Sequence, residues 1–184
     1  MDNPQKNAEK LEKSHDDLAN RIFFRLYQCA NMLHKTGSRA VESLGLTTQQ
    51  WAVLGALSRP ESDGGVGVGE LARYLMVSRQ NLSGLVGRME RDGHVELVSD
   101  PADRRSRLVR MTREGARVWH DEAPELIRRF YDQALADFSV GDMAHMLHYL
   151  LKLLDNMQRL DKASGVGAES EADLDAGAEN SKGK

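Results

Sequence analysis

The sequence predicts a mainly α-helical fold with one small β-hairpin. Apolar residues recur at helical spacing in the first and last thirds of the chain, and the middle third holds two short helices followed by a segment with a period of two. The length of 184 residues favours a single domain, for which we expect two lobes.

The sequence also limits where the protein is found. No apolar run is long enough to span a membrane, and the polar N-terminus lacks the apolar stretch of a signal peptide. The single cysteine, Cys29, excludes an internal disulfide. We therefore expect a cytoplasmic protein.

The charge balance of the whole chain is no guide to its partners, but the local charge is. The net charge is −3, from 25 Lys and Arg against 28 Asp and Glu. Residues 100–113 hold five arginines against two aspartates, which gives this segment a local charge of +3. Local charge steers a polyanion more than the total does, so DNA binding is not excluded.

The first long helix is expected over residues 17–42. Its apolar residues step by three or four and form one stripe, which consists of Leu18, Ile22, Leu26, Cys29 and Leu33. Thr47 and Gln50 have the spacing of a capping box, so a second helix should begin there and end before Pro60. We expect residues 1–14 to be flexible.

The middle of the chain predicts two short helices and a hairpin. A very short strand at 66–68 precedes a helix over 69–75, and Ser78 then caps a second helix that ends at Gly93. The buried face of that second helix is defined by Leu82, Leu85, Val86 and Met89. The residues over 95–99 alternate, and a second strand over 108–111 follows an arginine-rich turn.

Two more helices should complete the fold. Thr112 caps a helix over 113–137, and the final helix runs over 139–160. The final helix carries two overlapping apolar seams, a face too wide for a lone surface helix, so we expect a second copy of the chain to cover it. The last 23 residues, 162–184, are rich in Gly, Ala, Ser and acids with one large apolar residue. Together with Asp161 they are expected to form a disordered acidic tail over residues 161–184.

A helix, a tight turn, a capped helix and a hairpin make a winged helix-turn-helix, in which the capped helix enters the major groove of DNA. The polar residues at the start and on the exposed face of that helix are the expected DNA contacts: Ser78, Arg79, Gln80, Asn81, Ser83, Gly84 and Arg88. Arg suits guanine, Gln suits adenine, and Ser bonds to base or phosphate. A solvated surface helix is the alternative interpretation of the same residues.

The segment from Asn81 to Gly115 resembles the signature of the MarR family of winged-helix repressors. The matching residues are Asn81, Leu82, Gly84, Met89, Glu90, Gly93, Val95, Asp103, Arg104, Arg105, Thr112 and Gly115. His94 departs from the pattern, since the family usually has a large apolar or aromatic residue there. The resemblance covers residues 15–160 and assigns residues 15–45 and 113–160 to dimerisation and 46–112 to the DNA-binding lobe.

The resemblance implies an intertwined homodimer of two-lobed protomers bound to a pseudo-palindromic operator, with the wings in the minor groove. Asp103 would brace the wing, Arg105 would enter the minor groove, and Arg104 and Arg107 would contact phosphates.

The family's effector cleft often accepts aromatic carboxylates. An arginine pair with an aromatic wall suits such a ligand, so the expected effector residues are Arg21, Arg25, Gln28, His34 and Trp51. Ion pairs and a core tryptophan would explain the same residues without a ligand.

We therefore expect a ligand-responsive repressor of a catabolic or efflux operon, released from double-stranded DNA by a small aromatic acid or its thioester, with no cofactor. The alternatives are a redox sensor through Cys29, for which a buried inert thiol is the competing interpretation, a metal sensor through Asp142, His145 and His148, and a helical dimerisation protein that binds no DNA. No Gly-rich phosphate loop, nucleophile elbow or plausible carboxylate pair supports an enzyme.

Overall fold

A computed structural model describes the backbone of residues 4–103 and 106–179, and the side chains of residues 12–103 and 106–163. In this part of the chain the elements follow in the order α1 (Pro4–Ala40), α2 (Thr48–Leu57), β1 (Val66–Gly67), α3 (Val68–Tyr74), α4 (Arg79–Arg91), β2 (Val95–Ser99), β3 (Arg107–Met111), α5 (Arg113–Arg117), α6 (Ala123–Ala134) and α7 (Val140–Glu179). Short 3-10 turns lie at Glu42–Leu44 and Pro60–Ser62.

The chain divides into two compact units, residues 1–134 and 135–184. The core of the first unit is built from apolar side chains of α2, α3, α4 and the sheet, and its fully buried members include Leu54, Leu71, Leu82, Met89, Val95 and Val109. The second unit contains α7, which begins after Ser139. No helix in the described residues is both long enough and apolar enough to cross a membrane.

The winged helix-turn-helix predicted from the sequence is confirmed. The three strands form an antiparallel sheet in the order β1-β3-β2, in which Val95 pairs with Met111, Leu97 with Val109 and Ser99 with Arg107. The very short strand predicted at 66–68 corresponds to β1, where Val66 pairs with Val109. Alternate side chains of β2 and β3 pack on the core, so the hairpin is held by its apolar face.

The capping box at the start of α2 is also confirmed. The hydroxyl of Thr47 accepts a hydrogen bond from the backbone N–H of Gln50 at 3.3 Å, and the side-chain oxygen of Gln50 accepts one from the backbone N–H of Thr47 at 2.8 Å. Two backbone donors at the helix end are thereby satisfied.

The ends of the two long helices differ from the prediction. Helix α1 begins at Pro4 rather than near residue 17, and α7 continues to Glu179 rather than ending near Leu160. Residues 4–14 and 161–179 are therefore helical where we expected a flexible segment and a disordered tail. Apolar periodicity marks only the part of a helix that has an apolar face, so it did not reveal these extensions. Neither extension contains a proline beyond its first residue, so no missing N–H interrupts the helical hydrogen bonds. Residues 1–3 and 180–184 lie outside the described residues.

The helix predicted over 113–137 is interrupted. Residues Val118–Glu122 wind as a π-helical turn between α5 and α6, and α6 ends at Ala134. A π-turn adds a residue to the helical ladder and rotates the faces on either side of it, which shifts the side chains of α6 relative to those of α5.

Candidate nucleic-acid interface and ligand cavity

The start of α4 is fixed by its cap and by its apolar face. The hydroxyl of Ser78 accepts a hydrogen bond from the backbone N–H of Asn81 at 3.2 Å. The four predicted core residues of α4, which are Leu82, Leu85, Val86 and Met89, are all buried. The opposite face is consequently open, and it carries the predicted DNA-contacting residues Arg79, Gln80, Asn81, Ser83, Gly84 and Arg88.

Two of the predicted hydroxyl groups are already used inside the helix. The hydroxyl of Ser78 is the N-cap acceptor, and the hydroxyl of Ser83 donates to the backbone oxygen of Arg79 at 2.8 Å. Arg79 and Gln80 occupy the first turn and are exposed. Side chains in the first turn of a recognition helix are the ones that approach base edges. The geometry therefore favours Arg79 and Gln80 over the serines as base-contacting residues.

The tip of the hairpin is a hydrogen-bonded turn. The carboxylate of Asp100 accepts the backbone N–H of Ala102 at 2.8 Å, the N–H of Asp100 donates to the oxygen of Ser106 at 3.1 Å, and the N–H of Ser106 donates to the backbone oxygen of Asp103 at 2.8 Å. Arg107 is exposed at the first position of β3.

Two of the predicted wing residues, Arg104 and Arg105, lie outside the described residues, so the brace between Asp103 and Arg105 remains a prediction. A charge pair farther along the wing is visible, since Arg110 contacts the carboxylate of Glu96 across the two strands at 2.9 Å.

The base of the wing contains the residue at which the sequence departs from the family pattern. His94 is only 8% exposed, and its Nδ1 has no hydrogen-bond partner among the described residues. Its backbone oxygen accepts the N–H of Thr112 at 3.1 Å, and the hydroxyl of Thr112 donates to the oxygen of Gly93 at 2.6 Å. The cap of α5 is thus tied to the end of α4. A buried nitrogen without a partner costs stability, so packing at this point is not optimal.

An apolar cavity of about 230 Å³ lies between α1, α2 and α6. Its lining consists of Leu33, Gly37, Ala40, Val41, Thr48, Trp51, Ile127, Phe130 and Tyr131, none of which is charged. The indole N–H of Trp51 is buried and has no hydrogen-bond partner among the described residues. Partial burial raises the pKa of Tyr131 above its usual value of 10, so its phenol stays protonated at neutral pH. The cavity therefore offers apolar walls and a few neutral polar groups.

Aromatic rings and hydrogen bonds hold this cavity in shape. The ring of Trp51 lies 6.1 Å from that of Trp119 and 6.4 Å from that of Tyr131 in an edge-to-face arrangement. The backbone N–H of Thr48 donates to the hydroxyl of Ser38 at 3.1 Å, and the Thr48 hydroxyl donates to the backbone oxygen of His34 at 3.2 Å. These bonds join the start of α2 to α1 beside the cavity.

A second, open groove of about 520 Å³ adjoins the cavity, because both are lined by Ala40 and Phe130. The groove carries the guanidinium groups of Arg39 and Arg129. Arg129 also lies 3.8 Å from the carboxylate of Glu125, an exposed contact that water screens.

The structure does not gather the predicted effector residues within one chain. Trp51 lines the cavity, but Arg21 and Arg25 lie on an exposed part of α1, where Arg25 donates to the side-chain oxygen of Gln28 at 2.7 Å. His34 lines a different surface groove together with Arg88. Arg21 and Arg25 lie on one face of α1, as predicted from the sequence. The spacing of residues on one helix, however, does not show which other helix packs beside that face. Arg39 and Arg129 lie next to the cavity, and no sequence pattern singled them out.

Cys29 is exposed in the single chain, whereas its place on the apolar stripe of α1 favoured a buried thiol. The apolar stripe of α1 on which it lies is largely uncovered in the single chain, and this explains the difference.

The residues of the possible metal site do not form one among the described residues. The carboxylate of Asp142 instead accepts bonds from the backbone N–H and the hydroxyl of Ser139, at 3.0 and 2.7 Å. These bonds lower the pKa of Asp142 below its ordinary value of 3.8 and cap the start of α7.

The comparisons with known proteins agree with this architecture. A model of the MarR family matches residues 44–106. The transcriptional activatory protein BadR of Rhodopseudomonas palustris is 66% identical over 159 residues, which cover 86% of this chain and 90% of BadR. The homoprotocatechuate degradative operon repressor of Escherichia coli is 31% identical over 110 residues, which are 60% of this chain and 72% of that protein. A crystal structure of a probable transcriptional regulator from Pseudomonas aeruginosa matches with a TM-score of 0.64 at 27% identity, covering 74% of this chain and 98% of that one. The chain belongs to the MarR family of transcriptional regulators.

Proposed function

We propose that this chain is a dimeric, sequence-specific DNA-binding regulator whose affinity for its operator is set by a small aromatic acid or its thioester. The observation that carries the proposal is the exposed polar start of α4, which stands on four buried apolar residues and is followed by an arginine-bearing wing. A relative that is 31% identical is named as the repressor of a degradative operon for an aromatic compound. That name supports control of an operon for aromatic degradation.

DNA recognition follows from the geometry of α4. Arg79 and Gln80 project from its first turn, where a recognition helix meets the edges of bases in the major groove. Arg88 lies farther along the same exposed face, and Arg107 is exposed on the wing. Together with Arg104 and Arg105 they supply the positive charge that phosphates require.

The dimer is supported by apolar side chains that one chain leaves uncovered. On α7 nine large apolar residues between 140 and 160 are exposed: Val140, Met146, Leu147, Tyr149, Leu150, Leu151, Leu154, Met157 and Leu160. On α1 the residues Leu18, Ile22, Phe23, Phe24 and Tyr27 are exposed as well. Apolar surfaces of this extent mark interaction sites. A two-fold dimer covers both surfaces and matches a pseudo-palindromic operator.

The ligand is assigned to the cavity and the adjoining groove. An aromatic ring fits the uncharged cavity, and an oxygen of the ligand accepts the hydrogen bond that the Trp51 indole offers. An anionic group cannot be compensated inside the cavity, so it lies in the groove near Arg39 and Arg129. This assignment replaces the pairing with Arg21 or Arg25 that the sequence predicted.

Ligand binding is transmitted through α2. Thr48 lines the cavity and is bonded to α1. In the same turn of α2, the side-chain amide of Gln50 reaches the carboxylate of Asp92 at the end of α4, 3.5 Å away. A ligand that holds α1, α2 and α6 in one arrangement thereby biases the position of the recognition helix. Such a bias changes operator affinity only to the extent that the ligand prefers one arrangement.

The sign of regulation is proposed to follow the relative with the highest identity given above. The sequence predicted a repressor, whereas BadR, at 66% identity, is named an activatory protein. We therefore propose that the chain activates its operon when the ligand is present. A reporter under the operator should rise with ligand in the presence of the gene and stay low without it, and a reporter that is high without the gene would establish repression instead.

The DNA-binding part is tested by fluorescence anisotropy of a labelled operator. Arg79→Ala should lower affinity by about 1–3 kcal/mol, the worth of a bidentate contact to a base, and leave the oligomeric state unchanged. If the dimer neutralises about 6–8 phosphates, the logarithm of affinity should fall with the logarithm of salt at a slope of about −5 to −7. A wild-type protein that binds no duplex selectively would refute the proposal.

The ligand-binding part is tested with benzoate-, cinnamate- and pyridine-type acids and their thioesters, with the dissociation constant measured by isothermal titration calorimetry. Trp51→Phe should weaken binding about three- to ten-fold, because one hydrogen bond is lost. Trp119→Phe is the matched control, since Trp119 contacts Trp51 but does not line the cavity.

Arg129→Gln and Arg25→Gln form a second matched pair of exposed arginines, of which only Arg129 lines the groove. Weakening by Arg25→Gln alone would overturn the assignment of the ligand to the groove. Cys29→Ser must keep the ligand response, and loss of that response would favour the redox alternative, in which the thiol of Cys29 is the sensor.

A further inference from the structure

The turn that joins α3 to α4 contains a non-glycine residue in the left-handed region. Met76 has φ of 54°, the one positive φ outside glycine among the described residues. The N–H of Met76 donates to the oxygen of Arg73 at 3.3 Å, and the N–H of Val77 donates to the oxygen of Ala72 at 3.0 Å. This pair of bonds is the Schellman motif that ends a helix, and Met76 occupies the position that glycine normally fills.

The same motif occurs a second time in this chain with glycine in that position. At the end of α4 the N–H of Gly93 donates to Glu90 at 3.1 Å, the N–H of His94 donates to Met89 at 2.9 Å, and Gly93 has φ of 80°. The two turns have one geometry and different residues. A side chain at this position is disfavoured because its Cβ crowds the backbone. Met76 therefore carries a strain that Gly93 avoids.

Burial does not compensate for this strain. The side chain of Met76 is 56% exposed and that of the adjacent Val77 is 41% exposed. All residues from Met76 to Asn81 are exposed, so the two apolar side chains continue directly into the capped first turn of α4. Residues with strained backbone conformations are concentrated at functional sites. The surface next to them here is the proposed DNA-binding face.

We propose that Met76, assisted by Val77, contacts the 5-methyl group of a thymine in each half-site and so specifies thymine at that position. The inference rests on the DNA-binding function proposed above. In the major groove the apolar feature of a base edge is the thymine methyl group, and the flexible, polarisable methionine side chain suits such a contact. Arg79 and Gln80 then recognise polar base edges, and Met76 recognises the apolar one.

The test uses the full chain and an operator selected by that chain from random duplexes. Each thymine of the operator is replaced singly by deoxyuridine, which lacks only the methyl group, and affinity is measured by anisotropy. For the wild type, one thymine per half-site should be sensitive, with affinity falling about four-fold, the effect of burying one methyl-sized group. Met76→Gly should bind more weakly and lose this sensitivity, whereas Met76→Leu, which keeps an apolar side chain, should retain it.

A second readout separates this role from a structural one. Met76→Gly should melt at a higher temperature than the wild type, because glycine removes the strain. A lower melting temperature would overturn the inference, as would a wild type that tolerates deoxyuridine at every thymine, or a Met76→Gly variant that keeps the same sensitive position. Failure of the wild type to bind any duplex would instead refute the DNA-binding function, and this inference with it.

Discussion

Gly115 is the position at which one methyl group should do most damage to the wing. It lies at the start of α5, where its N–H donates to the hydroxyl of Thr112 at 3.0 Å. A Cβ at Gly115 would lie 2.0 Å from the backbone oxygen of His94 and 3.0 Å from Cγ of Met111. That oxygen belongs to the backbone and is held by the N–H of Thr112, so it cannot rotate out of the way. Gly115→Ala must therefore separate α5 from the base of the wing.

The cost of Gly115→Ala can be worked from these contacts. Overpacking costs about 1–3 kcal/mol, and loss of the bond from Thr112 to His94 adds about 1 kcal/mol. Alanine returns about 0.5–1 kcal/mol by restricting the unfolded chain. The net loss of unfolding free energy is about 1–3.5 kcal/mol, which corresponds to a melting temperature lower by about 2–14 °C for a chain of this size.

Circular dichroism and urea unfolding measure this loss. Gly87→Ala, in the middle of α4, is the matched control, since no heavy atom lies within 4 Å of the added Cβ. It should gain up to about 1 kcal/mol, because alanine is the better helix former. A Gly115→Ala protein that melts at or above the wild-type temperature would refute the reasoning about the wing base.

Three further predictions concern the dimer, the wing base and the cap of α7. Leu150→Asp should abolish the dimer and operator binding together, because a buried unpaired carboxylate costs several kcal/mol; wild-type mass in sedimentation would contradict this. His94→Leu should raise the unfolding free energy by about 1 kcal/mol in urea titrations, because it removes a buried nitrogen without a partner, and a loss would show that His94 is bonded. The pKa of Asp142 is lowered by its bonds to Ser139, so its stabilisation is complete above pH 3.8 and is lost as the pH falls below that value. The wild type should therefore lose more unfolding free energy in urea than Asp142→Asn when acidified from about pH 5 to about pH 3. Equal losses would show that the bonds between Asp142 and Ser139 do not stabilise the protein.

The sequence by itself determined the winged helix-turn-helix, because the interactions that define it are local. Ser78 and Thr47 cap their helices through residues three positions away, and the apolar spacing of α4 fixes its buried and exposed faces. The period of two over β2 and β3 set the faces of the hairpin. Each signal lies within a few residues, so it can be recognised before the tertiary structure is known.

Only the tertiary structure decided where a ligand fits and what the long helices expose. The cavity joins Leu33, Trp51 and Phe130 from three helices, and no local pattern records which helix lies against which. For the same reason the arginines of α1 could not be assigned to a site, and Cys29 on its apolar stripe was expected to be buried. The strain at Met76 arises because the hydrogen bonds that end α3 impose a backbone conformation that its side chain disfavours. A sequence determines which surfaces are apolar or charged, but long-range packing determines which of them meet.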